Sequence, residues 1–325
     1  MKIPSLIALI ALFFFFACSS DSEPALESKT GVVIPKDGST ELKTGGIMTP
    51  DGVLLNYLVA GSGKKTIIVP NAVYLADDFR SLSNEFQMIF FDLRNRGRSQ
   101  SISSAAKLEK GIVNDIKDLE AIRQHFQVEK FTLVGHGYLG LVAALYAKQY
   151  PEALEGIIQI SPVSPTANKS YSGADAFSDS LTIKLNNSFE QLAASKETLS
   201  PKDYCDRYWS LMRTMYQGDG IGAERIARGV CRYPNEHPDK LQTYLNDFVI
   251  PSINAVVVRK ADFDAVDAPV LAIHGTNDRV NPLGASKDWV AMFPNAELLR
   301  VENGGHMPWI EAEAQVFNAI REFVR

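Results

Sequence analysis

The chain has 325 residues, 46% of them hydrophobic and 22% charged, with a net charge of -5. That composition suits one large soluble domain with an insertion, or two domains. The acidic balance, with no basic run interleaved with aromatics, gives no electrostatic reason to expect nucleic-acid binding and favours a small neutral or cationic ligand.

At the N-terminus, Lys2 precedes an apolar run from Leu6 to Ala17 that is short for a bilayer span and reads as a signal peptide, residues 1–17. The Ala17-Cys18 step resembles a bacterial lipobox, although Phe15 stands where leucine is usual. That resemblance implies lipid at Cys18, anchoring an exported protein to a membrane and facing the periplasm or the cell exterior; simple secretion is the alternative. Residues 18–44 are rich in Ser, Glu, Lys and Thr and are expected to form a flexible tether. The two cysteines left, Cys205 and Cys231, fit either a disulfide or two buried thiols.

Strand signals follow at Gly46–Thr49, Val53–Ala60, Thr66–Pro70 and Gln87–Phe91. Ile112, Ile116, Leu119, Ile122 and Phe126 share one helical face, and a strand over Lys130–Val134 comes next. Alternation of strand and helix predicts a mostly parallel sheet covered on both faces. Further strands are expected over Gly156–Ser161, Val270–His274 and Glu297–Val301, with helices over Ser286–Phe293 and Glu311–Val324. Between them lies a stretch with helical signals at Leu181–Ala194, Pro201–Tyr216, Ala223–Gly229 and Asp239–Phe248, read as an inserted helical cap over 164–263. The core is then 45–163 with 264–325.

One turn organises the rest. Leu133-Val-Gly-His-Gly-Tyr-Leu-Gly140 joins a buried strand to an Ala/Leu helix. It resembles the nucleophile elbow of the α/β-hydrolase family, in which G-x-S-x-G lifts a serine above the sheet on a strained turn. Here Gly137 stands at the serine position. Glycine occupies positive φ without the roughly 1 to 3 kcal/mol that another residue stores there, so the elbow survives without its nucleophile.

The resemblance extends from about Gly45 to Arg325 and implies an α/β-hydrolase fold with an eight-stranded sheet. It also implies roles. Asp278, in His274-Gly-Thr-Asn-Asp-Arg, takes the place of the catalytic acid, and His306, in Asn303-Gly-Gly-His306, that of the base. Ile67–Tyr74 takes the oxyanion loop, with the Ala72 amide, the Asn71 side chain and the Tyr138 amide as candidate donors. Asp92–Ser99 matches a structural segment of the family whose arginines are expected to bond loop carbonyls. Ser99, Ser161, Cys205 and Cys231 lie outside the elbow, and none is an obvious substitute nucleophile.

The family's carboxylesterase and proline-iminopeptidase-like branch is the nearest in layout, but Pro70-Asn71-Ala72 does not match the peptidases' oxyanion segment. The expected site is therefore hydrolase-like, for a small ester or amide, with serine-type activity weak or lost. A non-catalytic ligand-binding protein, or a cofactor-free lyase or oxygenase using the His and Asp pair, are the alternatives. Tyr138 is the aromatic expected to touch ligand. No metal, P-loop or dinucleotide motif occurs, so no cofactor is expected.

Overall fold

In the computed structural model, which describes residues 40–219 and 222–325, the apolar runs assemble into one eight-stranded sheet. The expected signal peptide, Cys18 and most of the tether lie outside the described residues. The strands are β1 (Lys43–Met48), β2 (Leu54–Ala60), β3 (Thr66–Pro70), β4 (Gln87–Phe91), β5 (Phe131–His136), β6 (Leu154–Ile160), β7 (Val270–Gly275) and β8 (Ala296–Val301). Their spatial order is β1-β2-β4-β3-β5-β6-β7-β8. β2 pairs antiparallel with β1 and β4, and every other pairing is parallel.

The strand signals fit these elements to within a few residues, with one shift at the start. β1 begins at Lys43, so the end of the expected tether already belongs to the sheet. β3, β5 and β7 are buried along their whole length, as parallel strands covered on both faces must be.

On one face, α2 (Ile112–His125) and α3 (Leu139–Gln149) bury the Ile112, Ile116, Leu119 and Ile122 stripe against Leu133 and Ile157. On the other, α1 (Ala72–Phe79) and α9 (Glu313–Val324) bury Leu75, Phe79, Val316 and Ile320 against Ile67, Val69 and Ile158. Each such side chain contributes roughly 1.5 to 3 kcal/mol, which holds the strand ends in fixed register. β3 lies between β4 and β5, so the connection order reverses there. The loops after β3 and β5 therefore open side by side at the carboxyl edge, where ligands of such sheets bind.

The segment between β6 and β7 carries α4 (Ser180–Ala194), α5 (Pro201–Tyr216), α6 (Pro238–Tyr244) and α7 (Ile250–Asn254). α5 starts where its sequence says, with Pro201 in the first turn and the Ser200 hydroxyl accepting from the Asp203 amide at 3.1 Å. α6 runs through a wider turn, Leu245–Val249, into α7. The helix expected at Ala223–Gly229 is instead a short turn, Ala223–Arg225, followed by positive φ at Ala227 and Gly229. Arg213 donates to the carbonyls of Ile226 and Ala227, taking acceptors that a helix would use. Cys205 and Cys231 form a disulfide that ties α5 to this segment. Among the described residues no helix is long and apolar enough to cross a membrane. α8 (Leu283–Met292) returns the chain to the sheet.

Candidate active site

The elbow forms as its glycines dictate. Gly137 has φ +61°, its amide donates to the Ile160 carbonyl at 3.0 Å, and its own carbonyl accepts from Gly140 at 3.1 Å as α3 begins. A Cβ placed on Gly137 meets nothing within 4 Å except the His306 ring, with Nε2 at 3.5 Å and Cε1 at 3.9 Å. A side chain at 137 would thus face the His306 ring with room to spare.

His306 is fixed from both ends of the structure. It follows β8, its Nδ1 donates to Asp278 Oδ2 at 2.9 Å, and its amide donates to the carbonyl of Tyr216, the last residue of α5, at 2.8 Å. The tautomer this bond selects leaves Nε2 as the acceptor, aimed at Gly137. Tyr216 and His136 pack on the ring, with centroids 5.0 and 4.5 Å away. A Cβ on Gly305 would collide with the Gly218 amide at 2.3 Å, so this loop can lie against the cap only with glycine there. The hydrogen bond to the Tyr216 carbonyl was not visible in the sequence, because a backbone carbonyl at a helix end carries no side-chain signature.

Asp278 follows β7, the strand paired with β8, and is 2% exposed. Burial opposes its ionisation, but His306 next to it, the neighbouring His274 and the amides of Val280 and Asn281, at 2.7 and 3.0 Å, hold the carboxyl below the usual range. His274 lies 3.4 Å from the same carboxylate and donates to the Asn281 carbonyl at 3.1 Å. His136 is neutral: burial, then the His306 ring, push it down to about 3, and its Nε2 donates to the His306 carbonyl at 2.9 Å.

The expected oxyanion loop is a single residue long. Asn71 adopts the left-handed conformation, φ +71°, and α1 starts at Ala72, inside the stretch expected to be the oxyanion loop. The Ala72 amide at the start of α1 and the Tyr138 amide at the start of α3 are end amides of two helices rising from adjacent strands, groups with no intrahelical acceptor. The Asn71 side chain is 8% exposed and its Oδ1 has no partner among the described residues. Asp92, after β4, accepts from the Val73 amide at 2.6 Å and the Arg98 amide at 2.9 Å, pinning the first turn of α1.

The arginines of the Asp92–Ser99 segment depart from expectation, since they bond carboxylates more than carbonyls. Arg94 reaches Asp118 at 2.6 Å, Asp51 at 2.9 Å and one carbonyl, that of Lys107, at 2.8 Å. Arg96 pairs with Glu236 of the cap at 2.9 Å. Glu236 is fully buried and also accepts from the Gly97 amide at 2.7 Å and from the Tyr74 hydroxyl. The cap is thereby tied to the segments beside the elbow.

Of the cap aromatics, Tyr204, Tyr208, Trp209 and Tyr244 are buried, while Tyr216 faces His306. Tyr138 is partly buried beside the elbow with its hydroxyl enclosed. Ser99 donates to the Asp92 carbonyl at 2.6 Å, Ser161 is fully buried, and no described hydrogen bond joins either to His306. Among the described residues no group of His, Cys, Asp and Glu is arranged to hold a metal ion.

A family profile described as "alpha/beta hydrolase fold" matches residues 61–313. RutD of Pseudomonas syringae, which bears the name of a carbamate hydrolase, is 24% identical over 276 residues, covering 84% of this chain and 93% of its own. The meta-cleavage product hydrolase CumD of Pseudomonas fluorescens superposes with a TM-score of 0.65 at 18% identity, over 86% of this chain and 96% of that one. An esterase from Thermogutta terrifontis gives 0.62 at 19%, over 87% and 98%. At such identities the solved structures speak for the fold alone.

Proposed function

Since the chain belongs to the α/β-hydrolase fold family, we propose that its carboxyl edge is a hydrolase-like site for a small ester or amide, with Asp278 and His306 as its acid and base. In the family's reaction a serine hydroxyl attacks a carbonyl after losing its proton to the histidine, and the acyl-enzyme is resolved by water. Gly137 offers no such hydroxyl. Serine-type turnover is accordingly weak or absent, and the remaining route is direct. A water beside Gly137 gives its proton to His306 Nε2 and its oxygen to the carbonyl, and His306 passes the proton to the leaving alcohol or amine. The Ala72 and Tyr138 amides, with the Asn71 side chain, receive the developing oxyanion.

The observation that carries this reading is the vacant direction from Gly137 to His306 Nε2, 3.5 Å from an added Cβ. The names of the relatives, a carbamate hydrolase, an esterase and a meta-cleavage product hydrolase, share hydrolysis and support the reaction class. In serine proteases the oxyanion hole and binding alone retain some 10³ to 10⁴ of rate over water when triad members are removed. Slow hydrolysis of p-nitrophenyl acetate by the protein, abolished in His306→Ala, is the expected result. Hydrolysis that is unchanged in His306→Ala would refute the role of the base.

A second reading, ligand binding without turnover, is favoured by the ease with which glycine holds φ +61°. It predicts an unaltered ligand recovered after incubation, with affinity intact in His306→Ala. For location, export and lipid attachment at Cys18 complete the proposal, supported by the apolar run Leu6–Ala17 and the Ala17-Cys18 step. Radiolabelled palmitate should enter the protein and fail to enter Cys18→Ala.

A further inference from the structure

A second set of polar side chains lies beside the elbow, and the dyad does not use it. Both Asp115 carboxyl oxygens and the Tyr138 and Tyr244 hydroxyls are buried without a hydrogen-bond partner among the described residues. Asp115 is 1% and Tyr244 2% exposed. The three come from α2, the start of α3 and α6; α2 packs on α3, and both tyrosines belong to the same apolar cluster. Asp115 sits three residues after Ile112 and one before Ile116, within the stripe that faces the core.

The cations nearby are already committed. Arg94 bonds Asp118 at 2.7 and 2.6 Å, and Arg96 bonds Glu236 at 2.9 and 3.1 Å. What is left unanswered is more acceptor than donor capacity: two carboxyl oxygens and the lone pairs of two hydroxyls, against the two hydroxyl protons. Burial, then the Asp118 carboxylate, push the Asp115 carboxyl up to about 7, against the pull of Arg94, Arg96 and the Tyr138 hydroxyl. A donor brought in by a ligand would relieve that burial. Tyr244 also lines a cleft of 440 Å³ between Asn95–Leu108 and the cap residues Asp239 to Phe248, so one member of the cluster borders an open cleft.

We propose that Asp115, Tyr138 and Tyr244 form a subsite for a nitrogen donor on the ligand, an amide or a primary ammonium group, next to the carbonyl position above Gly137. Each N–H bond of an ammonium or of a primary amide can be taken up by one of these four acceptor atoms, and the acidic chain favours a cation over an anion. This deepens the proposed site by naming what its substrate carries, and it rests on the elbow edge being a ligand site.

The test reads binding to the full chain with Gly137 in place, by calorimetry, using benzylamine, benzamide and methyl benzoate. Benzylamine and benzamide should each bind at least tenfold more tightly than methyl benzoate, which has no N–H. Asp115→Asn should remove at least tenfold of the benzylamine affinity and change that for methyl benzoate less than twofold, and Tyr244→Phe should remove about threefold of the benzylamine affinity. Tyr244→Phe preserves shape and carries the test if Asp115→Asn fails to fold. Equal affinity for the three probes, no binding, or a preference that survives both substitutions would overturn the proposal and leave a cluster that holds only buried water. No turnover is read, so a failure of hydrolysis in any Gly137 variant leaves this outcome separate.

Discussion

Asp278 and Asp115 are both buried carboxyls beside the same elbow, and their surroundings drive them in opposite directions. Asp278 is met by His306 and two loop amides, and is held below the usual carboxylate range although burial opposes it. Asp115 makes no hydrogen bond among the described residues, and burial and the Asp118 carboxylate push it up to about 7 despite Arg94, Arg96 and the Tyr138 hydroxyl nearby. Burial is common to both, so the partners decide the sign. One site is preorganised around a charge it already holds, and the other is organised around a donor still to arrive.

The largest effect should come from the partnered carboxyl. With a nucleophile supplied by Gly137→Ser, adding Asp278→Asn should cut kcat by about 10⁴, the loss seen when the acid of a serine-protease triad becomes an amide, because His306 then takes the wrong tautomer. A fall of less than tenfold in steady-state ester hydrolysis would mean that Asp278 does not orient the base.

The pH dependence of stability separates the two carboxyls next. Asp278, lowered in the fold, contributes stability that is present above about pH 4, the unfolded value, and lost as pH falls through its folded value. Asp115, raised from 3.8 to about 7, contributes stability that is present below about pH 4 and lost as pH rises through 7. A shift of that size corresponds to on the order of 4 kcal/mol. Urea unfolding from pH 4.5 to 8 should show stability declining, and Asp115→Asn should flatten the decline. Asp92, raised to about 6 by burial, slopes the same way, so part of it should persist. A pH profile identical in Asp115→Asn would remove the contrast.

Glu236 extends the comparison to the cap, as a buried carboxylate answered by Arg96, Tyr74 and the Gly97 amide. Glu236→Gln should cost about 3 kcal/mol, because it leaves Arg96 buried without a counter-charge. A change below about 0.5 kcal/mol in the same unfolding assay would place the cap's attachment elsewhere.

How much of this was legible follows from how local each signal is. The eight strands and α5 announce themselves by apolar runs and a Ser-Pro start. The elbow, Asp278 and His306 were readable because each sits in a short motif directly after a strand. α1 was not, since its first turn is held by the side chain of Asp92, some twenty residues away. The false helix at Ala223–Gly229 had the right residues, and only the reach of Arg213 from α5 redirects its carbonyls. Arg96 and Glu236 are 140 residues apart, a distance at which no pattern links them. Asp115 did leave a trace, an acid inside the apolar face of α2.

The first turnover of Gly137→Ser with p-nitrophenyl acetate, followed by stopped flow, tests the site above the elbow most sharply. If the position above Gly137 still faces a working base and oxyanion site, a burst of about one p-nitrophenolate per protein should appear and vanish on adding His306→Ala. A linear trace from time zero, no faster than that of the Gly137 protein and from a chain shown by circular dichroism to be folded, would mean that no working base and oxyanion site face position 137.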